Sequence, residues 1–162
     1  MVEQRSLSSR AVSEQRMIDL VQTAIDGVGL ADRILAAGEF APRGHSGSAF
    51  LGGLIGDEVA GSVGGAVGLI GGQRLSDAES GLPSSMIIGV SDSTVYGFAG
   101  NRTRLHSGIL FRLARADVTV EVHQRVNVRV LELIDATSGS RLELEGNRLP
   151  LTHSKDVIDH LR

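Results

Sequence analysis

The chain has 162 residues, 41% of them apolar, with 21 Gly, one Tyr, no Trp and no Cys; this size allows one or two small packed units and excludes a large multidomain enzyme. The missing cysteines exclude disulfide frameworks, thiolate zinc sites and cysteine nucleophiles, and fit a reducing compartment. Sixteen basic residues against 19 acidic ones give a formal net charge of −3, so no global positive field draws the chain to nucleic acid, and no nucleic-acid partner is expected.

The polar N-terminus, MVEQRSLSSR, is not followed by an apolar run of about 7 to 15 residues with a small-residue cleavage site, so the expected location is cytoplasmic. Over residues 13–37, Met17, Val21, Ala24, Val28, Ala31 and Leu35 recur at alternating steps of four and three, which predicts an amphipathic helix. Ser13 is placed to cap its start and Gly38 to end it. Gly27 and Gly29 fall inside this span at about 1 kcal/mol each, leaving a kink or a helix pair open.

Residues 44–72 hold eleven of the 21 glycines. Ser48, Gly52, Gly56, Ala60, Gly64, Gly68 and Gly72 recur every four residues between Val, Leu and Ile. The pattern resembles a glycine zipper, in which small residues let helix backbones approach closely. Gly52, Gly56, Gly64, Gly68 and Gly72 are the expected packing interface, and a homo-oligomer is one outcome. Asp57 and Glu58 near the middle offset the insertion energy of the apolar residues, so packed helices, soluble or apposed to a membrane surface, are expected in place of a membrane span. A repeat of four drifts about 40° per step on a helix of about 3.6 residues per turn, which predicts either a break near Gly61 or contact with several neighbours.

The polar run QRLSDAESGLPSS, 73–85, reads as a linker between a helical region, 1–72, and an independently folding β domain, 86–162. Beyond it the hydrophobic period becomes two. Residues 86–90 and 94–98 bracket Ser91-Asp92-Ser93 as a hairpin, and 108–115 forms a third strand. Val118, Val120 and Val122 mark a fourth, and Val126, Val128 and Val130 a fifth, with a bulge expected near Val130 where Leu131 and Leu133 change the parity. Leu142 and Leu144 face inward on a sixth strand, 141–145. Ser154 and Asp156 begin a short terminal helix whose Val157, Ile158 and Leu161 share one face.

This meander closed by a helix resembles a bacterial pleckstrin-homology (PH) or GRAM-like domain, preceded here by the zipper region. IIGVSDSTVYGF looks like the opening hairpin of that family, LARADVTVEV like the strand after its variable loop, VNVRVLELIDATSGSRLELEG like its penultimate hairpin and SKDVIDHLR like its closing helix. Six strands are counted where the family has seven, the seventh being either within 141–150 or absent. The resemblance implies an α+β fold with an antiparallel PH-like barrel or sheet, and binding of phospholipid headgroups or peptides by loop residues. Arg102 and Arg104 in NRTRLHSG, with Arg112 on the next strand, are the expected ligand-binding residues. Arg115 completes this densest basic group, within a segment from Met86 onward that holds ten basic and nine acidic residues.

Catalytic patterns fail on inspection. Gly44-His45-Ser46-Gly47-Ser48 lacks the last glycine of a nucleophile elbow, and Gly27-Val28-Gly29 leads to Asp32 where a dinucleotide-binding loop needs glycine. His45, His106, His123, His153 and His160 show no metal-binding spacing, so no metal, cofactor or catalytic residue is expected. Glu121, Glu143 and Glu145 read as the wet face of a sheet. The expected function is a non-enzymatic scaffold that self-associates through its glycine-rich helices and binds a protein partner through the PH-like domain. The alternatives are a membrane adaptor for anionic lipid and an enzyme of unrecognised type.

Overall fold

The computed structural model describes residues 2–46, 83–125, 128–136, 141–147 and 152–162. It begins with helix α1 (Val2–Gly27), whose Met17, Val21 and Ile25 are buried, one stripe at the i, i+4, i+8 spacing of a face that packs on a sheet. The helix ends ten residues before the point its periodicity suggests. Gly29 takes a left-handed φ of 76°, its N–H bonds to the Asp26 carbonyl, and the Leu30 N–H bonds to the Ile25 carbonyl at 3.1 Å. This pair of bonds is a Schellman closure, so Gly27 and Gly29 terminate the helix and do not kink it.

The chain then enters a strand where a helix and glycine-rich region were expected. Strand β1 (Ala36–Ser46) is followed by β2 (Met86–Val90), β3 (Thr94–Asn101), β4 (Arg104–Ala114), a 3-10 turn (Arg115–Asp117), β5 (Val118–Gln124), β6 (Val128–Asp135), β7 (Arg141–Asn147) and helix α2 (Ser154–Leu161). A seventh strand thus lies upstream, at β1. Residues 47–82 lie outside the described residues, and with them the expected zipper interface at Gly52, Gly56, Gly64, Gly68 and Gly72 and most of the expected linker.

All seven strands join one antiparallel sheet in the order β4-β3-β2-β1-β7-β6-β5. The first half of β1 pairs with β2, Ala36 opposite Val90 through Phe40 opposite Met86. The second half pairs with β7, Ala41 opposite Glu145 through Ser46 opposite Arg141, with a register shift between Pro42 and Gly44. Consecutive strands are therefore sheet neighbours within β1–β4 and within β5–β7, and β1 bridges the two meanders by pairing with β7. Among the described residues one pairing is missing from a closed up-and-down ring, that between β4 and β5, so the sheet is not closed into a barrel. The bulge expected near Val130 does not occur: β6 pairs without a register shift on both sides. Irregular register falls instead on β1 and between β3 and β4.

Two apolar cores flank the sheet. The inner one gathers side chains from all seven strands, among them Phe40, Ile88, Phe111, Leu131 and Leu144, and is covered by Val157 and Ile158 of α2. The outer one packs Ile87, Tyr96 and Phe98 against α1. Both helices sit close to backbone. A Cβ on Gly38 of β1 would lie 2.7 Å from the His153 carbonyl oxygen at the start of α2, and one on Gly89 of β2 would lie 2.6 Å from Val21 Cγ1 of α1.

Candidate functional site

β4 and β5 are the two edge strands of the sheet among the described residues. The partly buried apolar residues that border the inner core are Leu110 on β4, Val118, Val120 and Val122 on β5, and Leu161 at the end of α2. Leu110 thus lies on one edge strand of the sheet and the three valines on the other. An antiparallel edge of this kind presents backbone donors and acceptors that a further strand can meet. On β5 the outward positions carry Thr119, Glu121 and His123, alternating with the inward valines. One end of the seam is pinned by Arg115 in the 3-10 turn. Its guanidinium donates to the Ser91 carbonyl at 3.0 Å and to the His160 carbonyl in the last turn of α2, a placement that also suits the negative end of that helix.

The three expected ligand-binding arginines are not gathered into one site. Arg102 and Arg104 lie together, exposed, at the β3–β4 turn, where Asn101 Oδ1 accepts the Thr103 N–H at 2.9 Å and the Arg102 N–H bonds to Glu39 Oε2 at 2.9 Å. Arg112 stands eight residues further along β4, about 26 Å away at about 3.3 Å per residue, opposite Tyr96 in register. Their proximity in sequence is proximity along an extended strand. Two arginines at the turn remain as a local basic pair.

Two polar clusters appear that periodicity does not reveal. At the junction of the helices, Ser13 Oγ lies 2.8 Å from His153 Nε2, His153 Nδ1 lies 3.0 Å from Asp156 Oδ2, and Arg10 Nη2 reaches Asp156 Oδ1 at 3.2 Å. The order hydroxyl, imidazole, carboxylate is that of a nucleophile relay. Here the Ser13 hydroxyl also donates to the Arg10 carbonyl of its own helix turn at 2.9 Å, and the His153 side chain is fully buried with both nitrogens engaged. The cluster ties α1 to α2. Ser13, read from sequence as a cap, sits within α1, and His153 holds a left-handed φ of 54° just before α2.

The second cluster centres on Asp32, where the dinucleotide pattern fails. Its Oδ2 accepts the Ser91 hydroxyl at 2.6 Å and the Tyr96 hydroxyl at 2.8 Å, and its Oδ1 accepts the Arg33 N–H at 3.0 Å. Burial pushes the Asp32 carboxyl up, but these bonds together outweigh it and hold the group below the ordinary carboxylate value. Tyr96 is pushed up to about 12, first by burial and then by its bond to Asp32 and that residue's charge. A neutral phenol donating to an ionised carboxylate fixes the loop between α1 and β1 onto the β2–β3 hairpin.

No helix among the described residues is long and apolar enough to cross a membrane. The chain matches no protein-family model, and it has no significant match among curated proteins.

Proposed function

We propose that this chain is a non-enzymatic interaction module that takes up an extended segment of a protein partner at the β4–β5 seam. The observation that carries the reading is the coincidence, at that seam, of a missing ladder with a row of half-buried aliphatic side chains. A strand added to β5 gains main-chain hydrogen bonds, while alternate side chains meet Val118, Val120 and Val122. Its outward side chains pass beside Glu121, so the fitting partner alternates small aliphatic with basic residues. Seven antiparallel strands in near-ring order, closed by a C-terminal helix, support the resemblance to PH-like domains.

The test uses a labelled peptide of alternating Val and Arg and its counterpart N-methylated at every second residue. The first should raise fluorescence anisotropy and slow amide exchange over Val118–Gln124, and the second should do neither. Equal behaviour of the two peptides, or protection elsewhere, overturns strand addition. Self-association through Gly52, Gly56, Gly64, Gly68 and Gly72 belongs to the same scaffold reading, and sedimentation at several protein concentrations tests it.

The exposed pair Arg102 and Arg104 supports a second reading, adsorption to anionic lipid. Vesicles containing phosphatidylserine should sediment the protein, and the double change Arg102→Glu, Arg104→Glu should release it, whereas Arg112→Glu should not. Equal binding to neutral phosphatidylcholine vesicles rejects this reading.

A further inference from the structure

We propose a divalent transition-metal site on the outer face of β5 and β6, formed by Glu121, His123 and Glu132. The ladder places Glu121 directly opposite Glu132, and His123, two residues beyond Glu121, stands on the same face. His123 Nε2 lies 3.2 Å from Glu132 Oε2 and 3.5 Å from Glu121 Oε2, and the three donor atoms all fall within 4.8 Å of one another. A tetrahedral ion with Zn–N and Zn–O bonds of about 2.0 to 2.2 Å holds its ligand atoms about 3.3 to 3.6 Å apart. The side chains are already near that spacing.

The surroundings suit a cation. Glu132 is the anchor: its side chain is 5% exposed, and its other oxygen, Oε1, accepts Arg141 Nη1 at 2.9 Å. Arg141 thus orients the carboxylate from behind and leaves Oε2 facing His123 and Glu121, the outer-shell support that metal-bound carboxylates have. On the far side Glu143 of β7 stands opposite Glu132, so three carboxylates form one lateral row across three strands. Like charges directly opposite one another repel, and a dication beside the row relieves that repulsion. His123 and Glu121 are about half exposed, which lets water complete the coordination.

One imidazole and two carboxylates favour zinc or cobalt over calcium and magnesium, which take all-oxygen sites. The other histidine-carboxylate group, Glu14, His153 and Asp156, is less suited. There the Nε2 is held by Ser13 and Asp156 is shared with Arg10.

The site is tested on the full, tag-free chain with Co(II) as the probe. Titration should give the strong visible absorption of a four-coordinate ion at one equivalent, and Zn(II) should abolish it. His123→Gln and Glu121→Gln, both at exposed positions that leave the core intact, should each weaken Co(II) binding at least tenfold, and Glu14→Gln should leave it unchanged. The proposal is overturned by absence of a Co(II) spectrum, by wild-type affinity in His123→Gln, by loss of binding in Glu14→Gln, or by displacement with equimolar Mg(II) or Ca(II).

Discussion

The two halves of the sheet are built from similar meanders and end in different surroundings. The β1–β4 half is covered on both faces, by the inner core and by α1, and its β2 is buried at all five positions. The β5–β7 half contributes to the inner core alone; β6 is buried from Val130 to Leu133, and β5 alternates half-buried valines with exposed polar residues. A strand with two apolar neighbours above and below reads as a continuous apolar run, and one with a wet face reads as alternation. The difference teaches where rigidity and reactivity lie. The half under α1 carries the second apolar core, while the other half carries the β5 edge, the carboxylate row and the candidate binding residues.

The largest test removes the strand shared by the halves. A fragment of residues 86–162 lacks β1, and so leaves β2 and β7 without the strand that joins them. We expect no cooperative thermal transition from it. A sharp transition with β-type circular dichroism would show that the halves fold without the bridge, as the change of hydrophobic period at 73–85 suggests.

Next, Phe98→Ala in the doubly covered half should cost about 3 to 5 kcal/mol by urea denaturation, against less than about 0.5 kcal/mol for the exposed Thr119→Ala of β5. Similar values would erase the contrast. Gly89→Ala brings a Cβ to 2.6 Å from Val21 Cγ1 and should cost about 1 to 3 kcal/mol. Val21→Ala in the same chain should recover part of that loss, and strict additivity would show that α1 is not held against β2.

The last expected effect is pH-dependent. Tyr96 titrates near 12 in the folded protein and near 10 when unfolded. The unfolded chain therefore loses the proton first, and the stabilisation is complete below pH 10 and is lost as pH rises from 10 to 12. The change is on the order of 2 kcal/mol, and Tyr96→Phe should flatten that part of the profile. For Asp32 the sign is opposite: its depressed value gives stability above the usual carboxylate range that fades as pH falls through the folded value.

Six strands and the closing helix were legible because each carries its own period. β1 was not, because AAGEFAPRGHS holds two glycines and a proline and shows no alternation. It is a strand by virtue of partners on both sides, a tertiary effect that local propensity cannot supply. The end of α1 was hidden for a related reason. Ala31 and Leu35 continue the helical stripe beyond the turn at Gly29, and the turn is set by a backbone conformation. Arg102 and Arg104 were legible as a pair, whereas Arg112 was misplaced with them because the length of β4 was underestimated. The seam and the triad of Glu121, His123 and Glu132 depend on which strands pair and in what register. Val118, Val120 and Val122 declare their face in sequence but not that β5 is an edge.

The bridging role of β1 also has a consequence for synthesis. Its first half finds β2 soon, since Phe40 and Met86 are 46 residues apart, but Ser46 meets Arg141 across 95 residues. Doubling a loop adds only about 0.6 kcal/mol of closure entropy, so distance along the chain hardly weakens the second pairing. Time does more: at about 5 to 20 residues per second, a ribosome needs roughly 5 to 20 s to pass from one partner to the other. Through that interval the second half of β1 waits as an open edge on the growing chain, and Pro42, which cannot donate to a ladder, lies in the stretch where a wrong strand would dock.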